Sequence, residues 1–273
     1  MTTVGDAEVD GIPGAFWPPD WQVFRTLLDA TAAAGPGDLA ELGVLYGRSA
    51  VLIGGSLRDG ETFTAVDLFE AEPDDAANAL ENARSYPGLS RAAFEDNYRR
   101  VHGRLPAVVV GPSESVVDHV PSASHRFVHV DASHLHEHVV KDIDASRRIL
   151  RADGVLALDD IRSPHTPGVA AAAWQAVLTS GLRPIAVSTY KLYATFGDPE
   201  PFRAVLLDLA DAGGVEHEVQ LVNGEPLVRV WQPRTTPVLP WRRWVPEVAW
   251  PAVAWSGGRA LRASRRMRGR RAP

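Results

Sequence analysis

A doubly wound α/β fold, with a mostly parallel sheet and an antiparallel hairpin strand near its C-terminus, is predicted for this 273-residue chain. Three observations predict it. Apolar runs of strand length alternate with helix-length segments from residue 20 to about 196. The first of these runs, LAELGV, passes through a glycine turn, ELGVLYGRS, into a segment suited to a helix. Finally, the next run, FTAVD, ends on Asp67, about where a second strand should end.

In chain order, DWQVFRTLLDATAAA has helical spacing at Val23, Phe24, Leu27 and Leu28 and stops at Gly35-Pro36-Gly37. LAELGV is the first strand and SAVLIGGSLR a helix opened by Ser49. FTAVDLF is the second strand. DDAANALENARSY and SRAAFEDNYRRV are helices, the first stopped by Pro87-Gly88. AVVVGPS is a third strand, ESVVDHV a short helix and RFVHVDAS a fourth strand. HEHVVKDIDASRRIL is a helix with Val139, Ile143 and Leu150 on one side, ending at Asp153-Gly154. GVLALDDI is the fifth strand and GVAAAAWQAVLTSG a helix. RPIAVSTY and KLYATFG lie too close together for a helical crossover, so they should pair antiparallel. Beyond residue 200, FRAVLLDLADAGG reads as a helix, and EHEVQLVNGEPLVRVWQ as a hairpin turning at Asn223-Gly224. The expected organisation is a domain over 1–233, with its core at 20–196 and an added helix and hairpin at 200–233, then a Pro/Trp/Arg-rich tail over 234–273.

Composition excludes several classes of chemistry. There is no cysteine, hence no disulfide, thiolate metal site or cysteine nucleophile. The opening MTTVGDAEVDG is acidic and has no apolar core, so a signal peptide is not expected, and no run approaches the ~18 apolar residues of a membrane span. A cytoplasmic location is expected. The net charge of -6 combines -15 over residues 1–233 with +9 over 234–273. So acidic a body is a poor nucleic-acid binder. In the tail, Trp241, Trp244, Trp250 and Trp255 alternate with prolines ahead of seven arginines. This pattern suits weak contact with an anionic membrane surface; packing of the tryptophans on the body is the favoured alternative.

Ligands of open parallel sheets bind beyond the carboxyl ends of the strands. Polar residues gather at those ends here: Glu41 and Gly43, Asp67, Ser113 and Glu114, Asp131 and His134, Asp159 and Asp160. The pair Asp159-Asp160 directly follows the apolar run GVLAL, and adjacent carboxylates repel unless a cation offsets them. His134, His136 and His138 suggest zinc at first sight, but no further ligand motif accompanies them; His136 and His138 read better as exposed helix residues. Lys191 and Tyr193 read as structural.

In this order and spacing, ELGVLYGRS, VDLFE, VVVGPSES, FVHVDASHLHEHVVKD and ADGVLALDD resemble class I S-adenosylmethionine-dependent methyltransferases, which have a Rossmann-like fold. The nearest group is the metal-dependent small-molecule O-methyltransferases, of catechol type and of sugar-tailoring type. The resemblance covers residues 35 to 196. It implies that Glu41, Gly43, Gly47 and Ser49 lie at the methionine and ribose side of S-adenosyl-L-methionine, with Asp67 on the ribose hydroxyls, Ser113 near the adenine and Asp131 also beside the cofactor. It further implies that Asp131, Asp159 and Asp160 hold a divalent cation, magnesium by preference for hard oxygen ligands. His134 stands where catechol-type enzymes place a lysine and is the expected general base; His165, in RSPHTPG, is the second candidate. The implied acceptor is a small-molecule hydroxyl, on a sugar or natural-product intermediate, and a homo-oligomer is compatible with the sequence. Two departures stand out. His136 stands where sugar-modifying relatives often carry an aromatic residue two positions after the histidine, and Asp160 replaces the asparagine common in catechol-type enzymes. The rival readings are an NAD-dependent oxidoreductase, disfavoured by the missing G-x-G-x-x-G, and a non-catalytic or membrane-recruited accessory protein.

Overall fold

A computed structural model describes residues 4–232 except 74, 86 and 87. The expected tail at 234–273, and the boundary before it, lie outside the described residues. Among the described residues, no helix is long and apolar enough to cross a membrane.

The elements run α1 (Asp6–Asp10), α2 (Pro18–Ala33), β1 (Asp38–Leu42), α3 (Arg48–Gly54), β2 (Phe63–Asp67), α4 (Ala76–Ser85), α5 (Arg91–His102), β3 (Ala107–Val110), a 3-10 helix (Ser113–Asp118), β4 (His125–Val130), α6 (His136–Ile149), β5 (Leu150–Leu158), α7 (Pro167–Thr179), β6 (Arg183–Val187), β7 (Leu192–Thr195), α8 (Glu200–Asp211), β8 (Glu216–Val222) and β9 (Glu225–Trp231). The nine strands form one sheet in the order β3-β2-β1-β4-β5-β7-β6-β9-β8. Strands β1 to β5 pair in parallel. Strand β7 inserts antiparallel between β5 and β6, as their short connection requires. Strand β9 extends the sheet parallel to β6, and β8 closes the edge antiparallel to β9. Their turn at Asn223-Gly224 has positive φ at both residues, 51° and 79°, as a tight two-residue hairpin demands.

Helical periodicity places the core on both faces of the sheet. Val23, Phe24, Leu27 and Leu28 of α2 join the cluster on one face, with Phe63, Phe94 and Phe127. Val139 and Ile143 of α6 join the other, with Ala172 and Ala173 of α7. One boundary differs from expectation: residues 150–153 continue the fifth strand rather than closing the preceding helix, because Leu150 pairs with His125 across a register shift.

The order of strands reverses between β1 and β4, and that switch point sets the crevice. Gly43 leaves β1 with φ +83°, and a Cβ there would overlap the Asp131 carbonyl and come within 2.6 Å of the Ala132 Cα. Glycine is therefore required for the ends of β1 and β4 to approach this closely.

Candidate active site

Above the carboxyl ends of β1 to β5 lies a cleft of about 410 Å³, within the range of small-molecule sites. Gly43, Asp67, Ser113, Asp131, His134, Asp159, Asp160 and His165 all line it, so the fold brings together most of the residues singled out from the sequence. Glu41, Gly47 and Ser49 are not among its lining residues.

The turn after β1 is held from below. Asp67 Oδ2 accepts the backbone N–H of Val44 at 2.8 Å and of Leu45 at 3.1 Å, while Oδ1 accepts that of Phe69 at 2.8 Å. Burial raises the Asp67 pKa although these three donors oppose the shift. The carboxylate thus shapes the glycine turn as well as facing the cleft.

Glu41 corrects one expectation. Its side chain turns inward rather than toward the cleft and is fully buried. Oε1 accepts the Ser49 hydroxyl and lies 2.7 Å from His129 Nδ1, while Oε2 has no partner among the described residues. Burial raises the Glu41 pKa well above the carboxylate range and drives that of His129 well below the imidazole range. Burial thus favours the uncharged form of each partner. Gly47 likewise has a structural task. With φ +89° it caps α3, and a Cβ there would reach 3.0 Å from the Phe94 ring.

The acidic group at the ends of β4 and β5 also departs from expectation. Asp131, Asp159 and Asp160 do not gather as one set of ligating atoms. Asp131 instead belongs to two overlapping groups, one with His129 and Asp159, the other with His134 and Asp160. The cations that offset the adjacent carboxylates come from the protein itself. Lys191, 1% exposed, forms an ion pair with Asp159 Oδ2 and lies 3.2 Å from His129 Nε2. Burial opposes the Lys191 charge, but Asp159 and Asp131 raise its pKa. On the other side, His134 Nε2 lies 3.0 Å from Asp160 Oδ2, at ion-pair distance but off the line of a hydrogen bond. Its Nδ1 lies 2.8 Å from Glu81 Oε1.

Two carboxylates thus bracket one imidazole. Burial works against the His134 charge, yet Asp160 and Glu81 push its pKa up to about 10. Asp160 is the complement: burial favours its neutral form, but His134 and the Ser163 hydroxyl hold its pKa at about 2. The neutral-range base expected from the sequence is therefore an imidazolium in this arrangement. Asp131 is left without a hydrogen-bond donor among the described residues. Burial and the Asp159 carboxylate raise its pKa well above the usual range. His165 sits exposed on the cleft wall with no bonded partner among the described residues.

Residues 40–161 match the family model described as a methyltransferase domain. This segment, somewhat less than half of the chain, is what is similar to a methyltransferase domain. Its fold is similar to that of the O-methyltransferase NovP, at 20% identity, with a TM-score of 0.52 over 66% of this chain and 80% of that one. A protein from Corynebacterium glutamicum is similar at 19% identity, with a TM-score of 0.50 over 72% of this chain and 93% of that one. At these identities the likeness is one of fold. No curated protein matches this chain.

Sequence reasoning missed the part of this site that crosses the cleft from α4. Glu81 Oε2 accepts the Ser133 hydroxyl at 2.7 Å, and Oε1 accepts the His134 backbone N–H at 2.9 Å. Asp75 caps α4 through Ala77 N and Asn78 N, and its Oδ2 lies 2.8 Å from His138 Nε2. His138 is therefore half-buried and lines the cleft, rather than being the exposed helix residue expected, and it joins neither candidate ligand group. His134 lies in the loop before α6 and does not share a helix face with His138. The one available signal was Glu81 itself, the single acid in the alanine-rich helix AANALENARS.

Ser113 lines the cleft and also faces α6. Burial pushes the pKa of Asp142, on α6, up to about 7, with Ser113 and Lys141 offsetting part of the shift. The fold therefore keeps a proton that the unfolded chain releases near pH 4. Stability should fall as pH rises from about 4 to 7, by roughly 4 kcal/mol at most for this group. Urea unfolding at pH 5 and pH 8 checks this: Asp142→Asn should flatten the decline, and parallel profiles for the two proteins would remove Asp142 as its source.

Proposed function

We propose that this protein transfers the methyl group of S-adenosylmethionine to a hydroxyl oxygen of a small molecule, a sugar or natural-product intermediate, with a divalent cation at Asp131 and Asp160. The observation that carries the reading is the Asp131 carboxylate. It opens on the cleft without a donor among the described residues, beside Asp160 in the group that also contains His134. Two carboxylates completed by water and substrate oxygen suit magnesium, which seldom takes an all-protein cage. Asp159 is held by Lys191, so it serves the site by shaping the local field. When bound, the cation lowers the pKa of a hydroxyl attached to it.

The chain's own residues do the rest. Gly43 lets the cofactor approach the backbone, Asp67 accepts from its ribose, and Ser113 borders the adenine end. With a cation held by Asp131 and Asp160, Asp160 would be drawn away from His134, and the His134 imidazole, with Nδ1 fixed by Glu81, would be the group to take the acceptor proton; His165, which also lines the cleft, is the second candidate. Transfer in line from sulfur to oxygen leaves positioning as the main source of acceleration.

Calorimetry and turnover test the reading together. S-adenosylmethionine should bind the wild type, and Asp67→Ala should weaken that binding by ~1.5–3 kcal/mol; equal affinities would take Asp67 out of the site. Exhaustive chelation should abolish methyl transfer while leaving cofactor binding intact, and magnesium or manganese should restore it. Full activity after chelation would sink the metal half of the reading.

A further inference from the structure

We propose that Lys191 is a tethered cation that sets the metal affinity of this site: it withholds Asp159 from the divalent cation, which is then carried by Asp131 and Asp160 alone and stays exchangeable. This rests on the metal half of the reading above and names the residue that tunes it.

Two groups of possible ligand atoms share Asp131, one completed by His129 and Asp159, the other by His134 and Asp160. The Lys191 ammonium has already claimed the first group. It pairs with Asp159 Oδ2 and lies 3.2 Å from His129 Nε2. The remaining atoms of that pair of side chains are engaged as well. Asp159 Oδ1 accepts the Asp160 N–H at 2.7 Å, and His129 Nδ1 lies 2.7 Å from Glu41 Oε1. Oxygen and nitrogen lone pairs committed to protein donors are not free for a metal.

Lys191 is also fixed where it stands. It immediately precedes β7, whose Leu192 pairs with Leu158 at the end of β5. Its backbone N–H donates to Ser188 Oγ at 3.0 Å, and its carbonyl accepts the Ser188 N–H at 2.9 Å. Its Nζ lies 5.3 Å from the ring centre of Phe16 and 5.8 Å from that of Phe24, and a cation held near aromatic rings gives up attraction when it leaves. To gain Asp159, a metal would have to expel this buried ammonium and strand its charge. Asp160 is easier to recruit. Its side chain is 24% exposed against 7% for Asp159, and its contact with His134 Nε2 is off the line of a hydrogen bond. Charge and number of oxygen ligands tune the affinity for a divalent cation, so a withheld third carboxylate means a weaker, exchanging site.

Manganese titrations of the full chain, followed by electron paramagnetic resonance of the free ion, test this without turnover. Lys191→Met frees Asp159 and should bind manganese ~10-fold or more tightly than the wild type. The double variant Asp159→Asn, Lys191→Met removes carboxylate and ammonium together and keeps an Oδ1 acceptor for the Asp160 N–H. It should stay within about threefold of the wild type, since neither a ligand nor net charge is lost. Because it strands no charge, the double variant decides the matter even if Lys191→Met is too unstable to titrate. A loss of ~10-fold or more in the double variant would mean that Asp159 ligates the metal in spite of Lys191, and would overturn the proposal. So would a Lys191→Met protein that binds manganese no more tightly than the wild type. Manganese bound by none of the three proteins would instead fail the metal reading itself, and this inference with it. Calorimetry with S-adenosylhomocysteine on the same samples reports separately on the methyltransferase reading.

Discussion

Lys191→Met should cost the fold about 3–5 kcal/mol, the range for breaking a buried ion pair by removing one partner. Lys191 is 1% exposed and Asp159 7% exposed, so the carboxylate left behind has little water to turn to. The loss is compounded by Asp131 and Asp160 nearby, and by His129 Nε2, which loses its donor at 3.2 Å. Urea unfolding checks the value. The double variant Asp159→Asn, Lys191→Met should recover much of the stability, because no charge is then stranded. Magnesium should stabilise Lys191→Met more than the wild type, since the freed Asp159 carboxylate adds to the demand for a cation. A single variant within about 1 kcal/mol of wild type would mean that Asp159 simply takes up a proton and that Lys191 is dispensable to the site's electrostatics.

His134→Ala should lower the catalytic constant by ~10²–10⁴-fold, the range for a positioned acid–base group. His134 makes three contacts to two carboxylates: to Asp160 through Nε2 at 3.0 Å, and to Glu81 both through Nδ1 at 2.8 Å and through its backbone N–H. Cofactor affinity should change little, because the turn held by Asp67 lies on β1 and β2. Rapid-quench kinetics, with calorimetry for the cofactor, separates the chemical step from binding. The companion variant His165→Ala should be much milder. If His165→Ala shows the large loss and His134→Ala is nearly silent, proton removal belongs to His165, and His134 only braces α4 against the loop.

Much of the architecture was legible in local sequence pattern. Glycine at 43, alternating apolar runs and helical spacing at Val23, Phe24, Leu27 and Leu28 each act over a few residues, so their consequences can be read without a fold. Asn223-Gly224 is of the same kind, since the turn's positive φ values are a property of those two residues. The crevice followed from them, because strand order and the carboxyl ends of parallel strands place Asp67, Asp131, Asp159 and Asp160 along one edge.

What the sequence could not determine was the state of those groups. Glu41 lies one residue before the end of β1 in an exposed-looking motif, but its side chain alternates into the core and meets Ser49 and His129. Lys191 lies 32 residues from Asp159 and becomes its counter-ion only because β7 inserts antiparallel beside β5. Glu81 reaches His134 across 53 residues, and two carboxylates around one ring raise a pKa that residue type alone would put near neutrality. Charge and protonation depend on burial and on neighbours within a few ångströms. Those neighbours come from distant parts of the chain, so tertiary structure alone decided them.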